Sequence, residues 1–184
     1  MRDEPRLPRH SPLTDDELEG PALDQLQRML DAARPWHIFR TLARHPDLAR
    51  RWMVFANHVL YKSTLPARER EIAILRIGWL CRSEYEFSQH RVIGMDAGMT
   101  RDEVEAVKEG VDADGWSELD RLVIRATDEL FEDKRIGDET WDALGAHFTD
   151  EQRMDLVFAV GQYTLVSMVL RTLGVPLDDF LEGW

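Results

Sequence analysis

Leu65-Pro66-Ala67-Arg68-Glu69-Arg70-Glu71-Ile72-Ala73-Ile74-Leu75-Arg76-Ile77-Gly78-Trp79-Leu80-Cys81 is the stretch whose reading decides the fold. Leu65-Pro66 starts a helix, and proline suits a first turn whose amides have no intrahelical partner. After Glu71 nearly every side of the segment is apolar, which on a helix means a central, buried position. Ser83 to Gly98 reads as the next helix, with Ser83-x-x-Glu86 in the form of a capping box and Gly98 just past its end. The connection at Arg82-Ser83 is too short for anything but antiparallel packing of the two.

Working outward, Trp36 to Leu60 is helical with a break at His45-Pro46, since Ile38, Leu42, Leu48, Trp52, Phe55, Val59 and Leu60 recur every three or four residues. Thr100 caps a short acidic helix running to Gly110. Ser117 caps another, with Leu119, Leu122, Val123, Ala126 and Leu130 on one face. Gly137 to His147 forms a short helix. Thr149-Asp150-Glu151-Gln152 caps a long apolar one from Met154 to Leu173, ended by Gly174 and Pro176. Towards the N-terminus, Pro5, Pro8 and Pro12 mark an arm. Thr14-Asp15-Asp16-Glu17 offers a cap with acidic first-turn residues, and Pro21 opens a helix carrying Leu23, Leu26, Met29 and Leu30 up to Pro35. No segment alternates as a strand, and no hairpin turn is flanked by alternating apolar residues. The fold class is therefore all-α, with residues 1–35 as an N-terminal extension and 36–184 as the helical domain.

Composition narrows the function. The chain has 184 residues, 43% hydrophobic and 32% charged, enough for one self-supporting domain. A net charge of −12 excludes nucleic acid as a partner, because phosphate binding needs concentrated Lys and Arg. It also gives no general attraction for an anionic substrate. Met1 to Pro12 lacks the apolar core of a secretory signal, and nothing approaches 18 consecutive apolar residues, so a cytoplasmic protein with no membrane contact is expected. The one cysteine, Cys81, forms no intramolecular disulfide or Cys-x-x-Cys pair; beside an apolar run it reads as packing before it reads as a reactive thiol.

Three ionisable residues stand out in this apolar setting. Glu71 lies one turn into the most apolar helix, and Glu86 and His90, four residues apart, share a face of the next. Two carboxylates and an imidazole in a partly dry pocket form a proton-transfer kit. The spacing is equally that of Glu86 completing a capping box with Ser83. Glu71 lies about 18 Å before the turn and His90 about 10 Å after it at 1.5 Å per residue, so a direct contact needs an offset or a kink. Both readings stay open on spacing alone.

The block 65–71, Ile-Leu-Arg-Ile-Gly-Trp-Leu-Cys at 74–81 and Ser-Glu-Tyr-Glu-Phe-Ser-Gln-His at 83–90 resemble the carboxymuconolactone decarboxylase family. Ala97-Gly98-Met99-Thr100, Val160-Gly161-Gln162-Tyr163 and Leu173-Gly174-Val175-Pro176-Leu177 extend the likeness over roughly residues 36–178. In the alkylhydroperoxidase D-like branch of that family a Cys-x-x-Cys pair precedes the histidine; counted back from His90, its positions are held by Ser83 and Glu86, so thiol peroxidase chemistry is not expected. The resemblance implies a helical bundle of the alkylhydroperoxidase D-like type and a homo-oligomer, trimer or hexamer, with the active site between packed helices near subunit contacts. It further implies a reaction needing neither cofactor nor metal, loss of CO₂ from a carboxylated γ-lactone. On it, His90 is the general acid/base, Glu71 its partner or second acid, and Glu86 the orienting residue. Tyr85, Cys81, Trp36 and His37 are candidates for lining the substrate pocket, each equally readable as core; His58 reads as structural. Two further hypotheses stand beside decarboxylation. The same Glu/His kit serves isomerisation, dehydration or hydrolysis of another lactone or carbonyl compound, and the scaffold serves as a non-catalytic oligomeric module.

Overall fold

A computed structural model describes residues 7–21, 23–24 and 36–184. Among them are eight α-helices and no strand: α1 His37–Leu42, α2 Pro46–Tyr61, α3 Ala67–Leu80, α4 Glu84–Asp96, α5 Arg101–Ala106, α6 Glu118–Glu132, α7 Asp138–Leu144 and α8 Asp150–Leu173. Single turns of 3-10 helix at Asp15–Glu17 and Gly110–Asp112 complete the regular structure. The all-α expectation holds. The helix expected from Pro21 onward falls largely on residues 25–35, outside the described ones.

Helix α3 is the axis of the molecule, packed against α4, α6 and α8. Ile72, Ala73, Ile74, Leu75 and Ile77 are all fully buried, as a helix apolar on every side requires. Burying one such Leu or Ile contributes roughly 1.5–3 kcal/mol, so this helix alone carries a large share of the core. Its arginines leave the core through carboxylates. Arg76 grips Asp128 of α6 through both Nε (2.6 Å) and Nη2 (3.1 Å), and Arg68 reaches Asp120 and Glu103 at 2.5 Å each. These are fork-shaped, charge-assisted contacts of the kind only arginine makes.

The helix ends follow the sequence closely, with one exception. Thr100, Ser117 and Thr149 cap α5, α6 and α8, each in a reciprocal capping box, with Glu103, Asp120 and Gln152. Gly98 ends α4 at φ +100°, the amides of Gly98 and Met99 returning to Met95 and Gly94, and Gly174 ends α8 at φ +67°. The connection from α3 to α4 uses the same loop, with Ser83 N–H on Gly78 O, but Arg82 occupies its left-handed position at φ +55° where glycine is usual. The exception is α4: Ser83 makes no side-chain cap, and Glu86 is not its capping partner. The capping-box reading of Ser83-x-x-Glu86 fails, because the Glu86 carboxyl is turned inward against α3 and towards His90.

Residues 9–13 and the C-terminal tail lie on the helical body. Arg9 N–H bonds to Leu173 O, and Leu13, bonded to Arg40 O, is buried. The C-terminal tail binds back more firmly. Buried Asp178 accepts from the His37 amide (2.8 Å) and the Tyr85 hydroxyl (2.5 Å), so it supplies the N-cap that Trp36 does not give α1. Phe180 stacks edge-on against Trp36, and Trp184 packs against Trp79 and Phe87.

Among the described residues α8 is the one helix long and apolar enough, by length and composition, to cross a membrane. Gln162, Thr164 and Ser167 interrupt its apolar run, so it too has no 18 consecutive apolar residues. In the fold its inner face packs on α2, α3 and α4. Its outer face leaves Met154, Phe158, Leu165 and Met168 exposed in one row, with Phe55 of α2 against Phe158.

Candidate active site

Two glycines set the distance between α3 and α4. A β-carbon on Gly78 would stand 3.3 Å from Glu86 Cγ, and one on Gly94 would stand 3.3 Å from Leu75 Cδ1 and 3.7 Å from Glu71 Cβ. Side chains of the facing helix therefore press onto the glycine backbone at both points, and Glu71 is placed beside Gly94, one turn beyond His90 on the same face of α4. The offset left open by arm lengths is spanned by the Glu71 side chain running back that one turn.

The result is a continuous chain of charge. Arg70 Nε donates to Glu71 Oε1 at 3.1 Å, and Glu71 Oε2 lies 2.6 Å from His90 Nδ1. His90 Nε2 stands 3.2 Å from Glu86 Oε1, near enough for an ion pair but not aligned as a hydrogen bond. Glu71, Glu86 and His90 are 0%, 1% and 2% exposed. The Glu71 carboxylate, with a partner on each oxygen, is of the paired kind that survives burial. Neither oxygen of Glu86 has a hydrogen-bond partner in the protein.

That difference governs protonation. Burial pushes the Glu86 carboxyl up to about 7; His90 pulls it down and Glu71 pushes it further up. Burial works against a charged His90, but the charge and hydrogen bond of Glu71, joined by the charge of Glu86, outweigh it and raise the imidazole above its ordinary value. An imidazole whose charged form Glu71 favours thus stands beside a carboxyl that near neutrality is poised between acid and base. The Tyr163 ring packs edge-on against His90, centroids 4.6 Å apart, and burial raises its hydroxyl well above the usual range.

Glu86 and His90 form part of the wall of a cavity of about 290 Å³. Trp36, Phe39, Trp52, Tyr61 and Tyr163 provide its aromatic surfaces, and the amides of Asn57, Gln89 and Gln162 polar points. Glu71 does not line it and sits behind His90. Of the four pocket candidates, Trp36 alone lines this cavity. The Tyr85 hydroxyl is committed to Asp178, and its ring faces a larger hollow of about 780 Å³ shared with Arg9, Arg82 and Arg171. His37 is held by Asp178 and Pro176 O at the start of α1. Cys81 caps α3, half-buried, with its thiol pushed up by burial and partly relieved by Ser167. His58 lies near Asp155, away from the cavity. Among the described residues no group of three or more His, Cys, Asp and Glu is arranged to hold a metal ion.

Sequence reasoning did not single out Arg70, Trp52, Asn57 or Phe39. Arg70 was signalled by adjacency to Glu71; the other three became visible only when α1 and α2 folded over α4.

The all-helical bundle is of the alkylhydroperoxidase D-like type. Residues 46–129 match the model of the carboxymuconolactone decarboxylase family, the family that the sequence resembles. Solved structures share the fold over nearly the whole chain. An uncharacterized peroxidase-related protein from Ralstonia eutropha, an alkylhydroperoxidase AhpD core, superposes with TM-score 0.76 at 20% identity, covering 92% of this chain and 93% of that one. A peroxidase-related protein from a Silicibacter species gives 0.77 at 13% identity, covering 97% and 96%. A cysteine-to-alanine variant of the debrominase Bmp8, in complex with 2,3,4-tribromopyrrole, gives 0.73 at 14%, covering 92% and 91%. At such identities the likeness is one of fold. No curated protein matches the chain.

Proposed function

We propose that the chain is an acid/base enzyme that moves a proton on a small lactone or carbonyl compound, using its own side chains alone. The observation that carries this reading is the Glu86 carboxyl: buried at a cavity wall, without a protein hydrogen-bond partner, beside His90. A buried polar group left unsatisfied is expensive and is kept where a ligand completes it. Glu86 is the group that gives and takes the proton. His90, through Nε2–H, hydrogen-bonds the oxygen on which negative charge develops, and Glu71 holds the imidazole in orientation and charge. This gives Glu86 the acid/base role expected of His90 from the sequence, and Glu71 the orienting role expected of Glu86, because Glu86 faces the cavity and Glu71 does not.

In its ionised form Glu86 takes a proton from the carbon next to the carbonyl, the C–H electron pair becomes the enolate, and the protonated carboxyl returns that proton at another carbon. Decarboxylation of a carboxylated γ-lactone, the family's named reaction, uses the same parts in another order. The C–CO₂ bond breaks, its electrons form the enolate that His90 stabilises, and protonated Glu86 quenches it. Thiol chemistry is left out of the proposal because Ser83 and Glu86 stand at the two positions of the thiol pair.

The test is a panel of lactones and carbonyl compounds incubated in deuterated water and followed by NMR, with 4-carboxymuconolactone followed also for CO₂ release. Deuterium uptake or turnover that is lost in Glu86→Gln supports the reading. Equal uptake by wild type and variant, or none across the panel, refutes it. We also infer a homo-oligomer, for which the exposed apolar row of α8 is the supporting feature.

A further inference from the structure

We propose that the cavity beside Glu86 selects an uncharged, flat, unsaturated molecule and rejects the same molecule bearing a carboxylate. The inference rests on the acid/base reading of the site and names its substrate class. Five aromatic side chains surround the space. Trp36 is steadied from behind by Phe180, their ring centroids 5.0 Å apart, and Tyr163 is seated on His90. A wall this rich in aromatic faces and edges favours contact with a planar ring.

The charges point the same way. Among the described residues that line the cavity, the ionisable carboxyls are Glu86 and Asp96, the cationic group is His90, and no lysine or arginine contributes. The guanidinium of Arg70 is spent on Glu71, and that of Arg91 faces Glu105 and Glu182 on the other side of α4. The imidazolium is already flanked by one carboxylate and one carboxyl, both within 3.2 Å. A substrate carboxylate entering here meets no fork of donors, and its charge adds to that of Glu86 in a dry space, where unpaired charge is most costly. A neutral carbonyl instead accepts a hydrogen bond from His90 Nε2–H and adds no charge beside Glu86. Elsewhere in the lining the buried side-chain oxygen of Gln162 has no partner and accepts from a hydroxyl or N–H of the ligand.

The experiment uses three matched planar lactones: coumarin, coumarin-3-carboxylate and the methyl ester of the latter. Each is titrated by calorimetry into the full chain near neutral pH. Coumarin and the ester are expected to bind at least about tenfold more tightly than the carboxylate, a difference of about 1.4 kcal/mol. Trp52→Ala is expected to weaken the neutral ligands, and Glu86→Gln to narrow the gap between ester and carboxylate, which exclusion by size alone would not do. A carboxylate that binds as well as its ester overturns the proposal, and so does absence of binding by both neutral lactones to correctly folded protein. The readout is binding, so it is separate from deuterium exchange. Selective binding without exchange sinks the acid/base reading, whereas exchange on a carboxylated substrate sinks the selectivity.

Discussion

Replacing Glu86 by glutamine keeps the shape of the side chain and removes its charge. A carboxyl held at about 7 in the folded protein, against an ordinary 4.5, has an ionised form roughly 3 kcal/mol less well accommodated folded than unfolded. Below about pH 4.5 the group is neutral in both states and contributes nothing. Between 4.5 and 7 the unfolded chain releases the proton while the folded one retains it, so stability falls as pH rises; above 7 the whole penalty is present. The glutamine variant escapes that fall. Its stability relative to wild type is therefore expected to climb with pH by up to roughly 3 kcal/mol, while proton transfer is lost. Burying an unpaired amide costs about 1–3 kcal/mol of its own, but equally at every pH, so the slope of the difference is the diagnostic. Urea unfolding followed by circular dichroism, at one protein concentration and a series of pH values, measures it directly. A difference flat with pH, or one that falls, would refute the account of Glu86 as a carboxyl strained by burial.

Glu71→Gln removes the partner of both Arg70 and His90, and breaking such a buried pair is expected to cost about 3–5 kcal/mol in the same unfolding assay. The His90 imidazole should then titrate at lower pH by NMR. Cys81→Ser should leave activity close to wild type in the deuterium-exchange assay, since the thiol lines no part of the cavity. Arg82→Gly relieves a left-handed residue at the α3–α4 turn and should stabilise the fold by up to about 1 kcal/mol, offset in part by the greater chain entropy of glycine. Phe158→Glu, in the exposed apolar row of α8, should shift the assembly towards smaller species in light scattering without loss of helical signal.

The helical frame was legible because its signals are local. Thr100, Ser117, Thr149, Gly98 and Gly174 each satisfy the orphan amides and carbonyls of their own helix, and such chemistry is written within a few residues. Ser83-x-x-Glu86 shows the limit of that logic. The same letters that cap α5, α6 and α8 fail at α4, because Gly78 lets α3 press on Glu86 and His90 competes for its carboxyl. Neither event is visible from Ser83 and Glu86 themselves. The Glu71–His90 contact was likewise undecided by arm lengths, since a one-turn offset is within reach of a glutamate and a glycine at 94 removes the obstacle. The cavity was the least legible part. Its walls come from α1, α2 and α8 as well as α4, and Tyr85 and His37, plausible from chain proximity, are drawn off by Asp178.

The tail that secures α1 has a consequence for the order in which the molecule is made. Asp178 and the His37 amide are 141 residues apart, so their hydrogen bond closes nearly the whole domain. Closing so long a loop is entropically unfavourable until the intervening helices have condensed, whereas α3 and α4 meet across a three-residue turn. As the chain leaves the ribosome, the relay of Glu71, His90 and Glu86 has its partners at hand early. The Trp36 wall waits for Asp178 and Phe180 to be synthesised, so the three residues of the relay are brought together before the chamber beside them is shut.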